Sequence, residues 1–231
     1  MATDLTAIPL LWRQRTAPKR GPRPTLSLDA IAAAGIDIAD RDGLSAVTMQ
    51  RVAERLGVTK MALYRYVPGK VELVALMIDL GIGEPPRLAT IAGGWRPKLE
   101  TWALRRFDRF AEHPWALEAT IGARAIGPNE LGWLEQAAAA LTGTGLTGSE
   151  ILDVAVTLVG HVRTIAQQAA MIGNNPEQAI DDAMLALLTG REDQFPALAA
   201  ALADPDGKNQ ALDFGLHRIL DGVELLIDRL T

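Results

Sequence analysis

The sequence predicts an all-α fold, and three observations carry that prediction. Apolar residues recur at helical spacing through almost the whole chain, and no window of alternating β-branched residues competes with them. The breaks between periodic segments fall at glycine, proline and capping residues. With 231 residues and 48% hydrophobic content, the chain can bury a sizeable core, as one large domain or two small ones, and wholesale disorder is excluded. The absence of cysteine removes disulfides, thiolate metal sites and cysteine nucleophiles together, and fits a reducing cytoplasm. No apolar run approaches the ~18 residues that span a bilayer, so a soluble cytoplasmic protein with no membrane partner is expected. The stretch Ile8 to Trp12 is too short for a signal-peptide core.

Residues 1–26 read as a basic flexible arm. Pro9, Pro18, Pro22 and Pro24 interrupt it, and Arg13, Arg15, Lys19, Arg20 and Arg23 occur without an intervening acid. The first helix should start at the cap Ser27, with Asp29 near its positive end, and stop at Gly43. A short helix from Met49 to Leu56 follows Thr48, Gly57 breaks it, and a second short helix covers Lys60 to Tyr66. Lys70 opens a fourth helix that reaches about Leu80. Six glycines and prolines between Gly81 and Gly94 mark a domain boundary or hinge, so residues 27–80 and 85–231 are expected as separate units.

In the second unit, helices are expected over Arg96–Glu112, from Pro114, over Glu130–Leu141 and from Thr147 to Ile172. The fourth of these opens with a capping box, Thr147-x-x-Glu150. Asn175 and Pro176 then suit the cap and first position of a helix to Leu188, and a final helix covers about Asn209 to Leu230. That last helix carries Leu212, Leu216, Ile219, Val223 and Leu226 at alternating spacings of four and three, with Gly215 and Gly222 on the side of Ile219. The helix from Glu150 repeats the pattern with Ile151, Leu158 and Val162 among others. Either seam alone reads as a core-facing stripe. Two of them late in one chain suggest a four-helix bundle shared by two subunits, with these ten residues as its interface.

The stretch Met49–Pro68 has the register of a helix-turn-helix. Ala53 is the small residue where two steeply crossed helices meet, Gly57 makes the turn, and Val52, Leu56, Val58 and Leu63 fill the inner face. Lys60, Met61, Tyr64 and Arg65 share the opposite face of the second helix. A recognition helix presents such a face to the major groove, where Lys or Arg pairs with guanine and Met touches a thymine methyl. Thr48, Gln50, Thr59 and Tyr64 suit phosphate oxygens, and Lys70 sits where a phosphate at a helix N-terminus would account for its charge.

The stretch from Leu28 to Asp79 resembles the DNA-binding domain of the TetR family of transcriptional repressors. The shared features are the Asp-Gly-Leu ending at 42–44, Thr48, Ala53, Leu56-Gly57-Val58, Leu63-Tyr64, Tyr66, and Lys70 with Leu73. The segment from Phe214 to Ile227 resembles the last dimerisation helix of the tetracycline-repressor-like subgroup. The resemblance implies a homodimer on a palindromic operator in double-stranded DNA, released when a small-molecule inducer occupies the C-terminal domain. Tetracycline repressors hold a drug-bound Mg²⁺ through a histidine and a glutamate, and here Thr120 or Ile121 and Ala169 align with those positions. No metal and no cofactor is therefore expected, and tetracycline is a doubtful inducer.

Charge distribution agrees with this reading. Residues 1–75 hold 11 basic and 7 acidic residues, against 12 and 21 in the remainder, so positive charge gathers at one end of an acidic chain. The arm's basic residues either follow the DNA backbone or form a disordered extension. Trp102, Phe110, Trp115 and Trp133 are candidate walls of an effector cavity or plain core, and His161, Arg163 and Gln168 are its candidate polar contacts. Rival functions are an activator, a DNA-binding protein without a ligand, and an enzyme. The enzyme reading rests on Gly143-Thr-Gly145-Leu-Thr-Gly148, formally a GxGxxG. An alanine-rich helix precedes it, where a dinucleotide site needs a buried strand.

Overall fold

The computed structural model describes residues 6–13, 26–172, 176–204 and 210–230. These residues contain helices and no strand. Helix α1 (Ile8–Leu11) precedes α2 (Leu28–Asp42), α3 (Met49–Arg55), α4 (Lys60–Tyr64) and α5 (Lys70–Ile82). Beyond it come α6 (Trp95–Glu112), α7 (Trp115–Ala119), α8 (Pro128–Leu141) and α9 (Gly148–Ile172). Three more follow, α10 (Pro176–Leu188), α11 (Pro196–Ala203) and α12 (Ala211–Asp228).

Local chemistry sets most of these boundaries. The hydroxyls of Ser27, Thr48 and Thr59 accept from the backbone N–H groups of Ala30, Arg51 and Ala62, which caps α2, α3 and α4. Gly43 stops α2 at φ +80°, in the left-handed region that costs glycine little. The box at the head of α9 is reciprocal: Thr147 N donates to Glu150 Oε2 at 2.7 Å, and Glu150 N donates to Thr147 Oγ1 at 3.4 Å. The α12 cap comes from another element, because Glu177 of α10 accepts from the N–H groups of Gln210 and Ala211. The expected caps Asn175 and Asn209 lie outside the described residues.

The arm departs from its reading as a flexible segment over residues 6–13. Ala7 and Leu11, one helical turn apart, are buried against α5. Thr6 Oγ1 donates to Glu72 at 2.8 Å, and the Trp12 indole donates to the carbonyl of Ile126 at 3.0 Å. An apolar edge in a four-residue helix is enough to dock it where α5 offers an apolar face. Arg13 is exposed, and Arg15, Lys19, Arg20 and Arg23 lie outside the described residues.

The buried side chains form one continuous cluster that runs from α2 and α5 into α6, α8, α9 and α12. Helix α2 packs on α5 through Gly35, where a Cβ would stand 2.6 Å from the Met77 sulfur. Helix α5 passes through Gly81, the first glycine of the expected break, and stops at Gly83, φ +69°. Asp40 of α2 fixes the junction from the other side: the indole of Trp115 donates to it at 2.7 Å, and Nδ1 of His113 lies 2.9 Å away.

Candidate nucleic-acid interface and effector cavity

Helices α3 and α4 bury Met49, Val52, Ala53 and Leu63 and turn their remaining positions outward. Thr48, Gln50, Thr59, Lys60, Met61, Tyr64, Arg65 and Lys70 are all exposed, and Met61 is 72% exposed although it is apolar. Thr48 and Thr59 use an oxygen lone pair for capping, which leaves each O–H free to donate outward. Gln50 is bonded to Glu54 at 2.6 Å, and the Lys60 ammonium lies 5.7 Å from the centre of the Tyr64 ring.

The cations of this unit divide into two groups. Arg41 and Arg55 pair with Asp37, and Arg51 pairs with Asp42, so their charge is answered within the chain. Lys60, Arg65 and Lys70 form no ion pair among the described residues. Positive charge left unanswered at exposed Lys60 and Arg65 of the α4 segment, beside hydroxyl donors and an exposed methionine, is the equipment for a phosphate backbone and base edges, and Lys70 adds an exposed cation at the head of α5.

A cavity of about 200 Å³ lies between α6, α8 and α9. Its walls include Trp102, Arg106, Trp133, Leu134 and Val159, with Ile126, Leu131 and Val156 toward the exposed side. The Trp102 indole donates to the carbonyl of Trp133 at 2.8 Å, and the Trp133 indole donates to that of Gly83 at 3.0 Å. Both rings therefore have satisfied polar edges and present apolar surface.

Of the residues singled out as walls, Trp102 and Trp133 line this cavity. Trp115 instead packs at the α2 junction through Asp40, and Phe110 lies beneath the guanidinium groups of Arg106, at 5.1 Å, and Arg163, at 5.9 Å. The three candidate polar contacts also face elsewhere. His161 Nε2 is 2.9 Å from the carbonyl of Leu212, and the ring fills the space over Gly215. Arg163 donates to Thr120 Oγ1 at 2.6 Å and to the Leu117 carbonyl, and Gln168 is half-buried and away from the cavity walls.

The polar members of the cavity are Arg106 and Glu130. Arg106 is 5% exposed, and its Nε and Nη1 have no hydrogen-bond partner. Burial pushes its pKa down to about 10, Glu130 opposes that shift, and Arg124 and Arg163 add to it. Glu130 is itself engaged by Arg124, in two contacts of 2.6 and 2.5 Å. Arg106 carried a sequence signal: with Trp102 and Phe110 it occupies successive turns of one apolar stripe, where a solvent-facing arginine has no place.

The interface seams also resolve within the chain. Leu158, Val162, Leu216 and Val223 are buried between α9 and α12 of a single copy, and Ile151, Leu212 and Ile219 pack against that core. Gly215 admits the His161 ring of α9, so the close approach that its spacing suggested is intramolecular. Leu226 is half-buried. Gly222 alone of the two glycines is exposed and open, and Leu152, Val156, Phe214 and Leu225 are exposed on the outer faces of the same two helices. The formal GxGxxG is the α8–α9 loop, with Gly143 and Gly145 at positive φ and a helix ahead of it.

Two family descriptions match the chain: bacterial regulatory proteins of the tetR family over residues 27–77, and the tetracyclin repressor-like C-terminal domain over residues 87–227. The chain belongs to the TetR family. A transcriptional repressor of Streptomyces coeruleorubidus, DrrR1, is 35% identical over 94% of this chain and 84% of its own length. The crystal structure of apo ActR from Streptomyces coelicolor superimposes with a TM-score of 0.79 at 21% identity, covering 91% of this chain and all of ActR. ActR in complex with actinorhodin gives 0.75 at 23%, over 87% and 96% of the two chains. As a TetR-family member the protein is a DNA-binding transcriptional regulator. The N-terminal match spans α2 to α4 and the first part of α5, and the C-terminal match spans α6 to α11 and α12 up to Ile227. No helix among the described residues is long and apolar enough to cross a membrane.

Proposed function

We propose that the protein is a homodimeric repressor that holds a palindromic operator and releases it when a small organic molecule fills the α6–α8–α9 cavity. One observation carries the release step. The cavity and the DNA-binding unit share the N-terminus of α8, because Glu130 lines the cavity while its own backbone N–H donates to Asp79 of α5 at 3.2 Å. A ligand that moves α8 must therefore move α5, whose first residue is the DNA-facing Lys70. An effector releases DNA only by binding the non-operator conformation more tightly, and a rigid helix joined to both sites supplies the difference. The repressor DrrR1 and the complex of ActR with actinorhodin support the same assignment by analogy.

On this reading Thr48, Gln50, Thr59, Tyr64 and Lys70 take phosphates, and Lys60, Met61 and Arg65 meet base edges. Two copies associate through the outer faces of α9 and α12, and no divalent metal takes part. The test is displacement of a fluorescent operator, selected from random duplexes with the full-length protein, by a library of organic compounds with and without EDTA. Release by at least one compound in the presence of EDTA is expected. Release that occurs only with Mg²⁺ would overturn the metal-free mechanism, and stable binding throughout would overturn ligand release.

A further inference from the structure

We infer that the effector of the α6–α8–α9 cavity carries an anionic oxygen group, a carboxylate or an ionised phenol, on a flat apolar body, and that Arg106 receives it. The inference rests on the cavity being the effector site and names the class of molecule that fits.

Arg106 is a cation placed almost wholly out of water with two of its nitrogens unbonded. A buried guanidinium is tolerated when its donors are met and its charge is answered. Here two donors are unmet and the charge is answered only in part. The nearest carboxylate, Glu130 Oε1, stands 4.0 Å from Nη2 and is already in contact with Arg124. Arg106 and Arg124 share this single acid, and the charges of Arg124 and Arg163 both act against that of Arg106. The aromatic faces of Phe110 and Trp133, at 5.1 and 5.6 Å, stabilise the cation from the sides but offer no acceptor in its plane. With its pKa near 10, Arg106 stays charged at neutral pH. An anionic oxygen supplies both missing elements, an acceptor and a negative charge. The rest of the cavity is apolar, from Trp102 and Trp133 to Leu134 and Val159, so the remainder of the ligand should be apolar and thin enough to lie along indole surface.

The test uses two probes of equal shape and different charge, 2-naphthoate and 2-naphthamide. Each is titrated calorimetrically into the full-length protein and into Arg106→Met and Arg106→Lys. Wild type should prefer the carboxylate by about tenfold or more, the size expected of a charge-assisted hydrogen bond out of water. Arg106→Met should lose that preference while still binding the amide, and Arg106→Lys should retain part of it. Thermal unfolding checks that the methionine variant folds, as replacement of a buried cation with unmet donors by an apolar chain should allow. Equal affinity of wild type for both probes, binding of neither, or a preference that survives Arg106→Met would each overturn the inference. The wild-type comparison stands even if a variant misfolds. DNA is absent from this readout, so a charge-selective cavity without operator release would leave Arg106 as the anion-binding group of the cavity and refute the release mechanism alone.

Discussion

Asp79 and Asn129 are joined twice across the junction of the two domains. The Asn129 backbone N–H donates to Asp79 Oδ1 at 2.9 Å, and the Asn129 side-chain amide donates to the Asp79 carbonyl at 2.8 Å. The same carboxylate oxygen accepts from Glu130 N, so a residue of α5 caps α8 from outside its own sequence. Gly127 lies against that carboxylate so closely that a Cβ would collide with it. Asp79→Ala leaves two N–H donors of a part-buried helix end without their acceptor and should destabilise by about 1–3 kcal/mol. Gly127→Ala should cost a similar ~1–3 kcal/mol through overpacking. Chemical denaturation measures both. A stability within error of wild type for either variant would mean that the clamp is not required.

On the proposed DNA face, the division between answered and unanswered cations sets the expected pattern. Tyr64→Ala and Lys70→Ala should weaken operator binding without changing stability, and each lost lysine–phosphate contact should reduce the salt slope by about one. Lys60→Ala and Arg65→Ala should also change sequence preference, by roughly 1–3 kcal/mol at a contacted base pair. Arg41→Ala, which removes a cation already paired with Asp37, serves as the control and should bind as wild type does. Fluorescence anisotropy over a salt series distinguishes these outcomes. Equal affinities across all five variants would refute this face as the interface.

The sequence exposed the helices better than their partners. Ser27, Thr48, Thr59 and the Thr147–Glu150 box act locally, so their roles follow from a few adjacent residues. The heptad spacing of Leu212 to Leu226 shows which side chains share a face and nothing about which helix covers it. In the fold, α9 of the same chain covers Leu216 and Val223, and the exposed apolar residues lie on another face. His161 reads as a polar intrusion into an apolar helix, yet its partner is a backbone carbonyl on α12, which no sequence pattern marks. Arg106 is obscured by the several arginines between Arg96 and Arg109, and only its spacing of four from both Trp102 and Phe110 sets it apart from its solvated neighbours. Helix α1 was hidden by its length and by Pro9, which in the fold occupies an early helical position where its missing N–H costs little.

The ion pairs of Arg96 give a pH-dependent tie between α6 and α12. Arg96 contacts Asp221 at 2.5 Å and Glu224 at 2.8 Å, and the Arg96 hydrogen bond holds Asp221 below the usual carboxylate range. A depressed carboxylate pKa adds stability above the unfolded value, about 3.9, and loses it as pH falls through the folded value. Asp221→Asn should therefore lower Tm at pH 7, and the difference from wild type should shrink below about pH 4. Because these groups are exposed, salt should also shrink it. A difference in Tm that stays constant from pH 7 to pH 3 would mean that Asp221 acts through packing and not through its charge.

The exposed outer faces of α9 and α12 decide the expected oligomer. Leu152 and Leu225 are 47% and 59% exposed, and Gly222 has open space above it, whereas Leu216 is 1% exposed. A charge at an outer position is solvated in a single copy and becomes buried only on association, so it selectively penalises the dimer. Leu152→Asp and Leu225→Asp should each remain folded and helical yet sediment as monomers. Both should also lose operator affinity, since two half-sites about 34–36 Å apart require two linked recognition helices. Leu216→Asp should fail differently, by unfolding, because it buries an unpaired carboxylate within one chain. Sedimentation velocity with circular dichroism separates the two behaviours. If Leu152→Asp and Leu225→Asp stay dimeric, two copies must meet on another surface, of which the exposed Leu187 and Phe195 on and beside α10 and α11 form the next candidate.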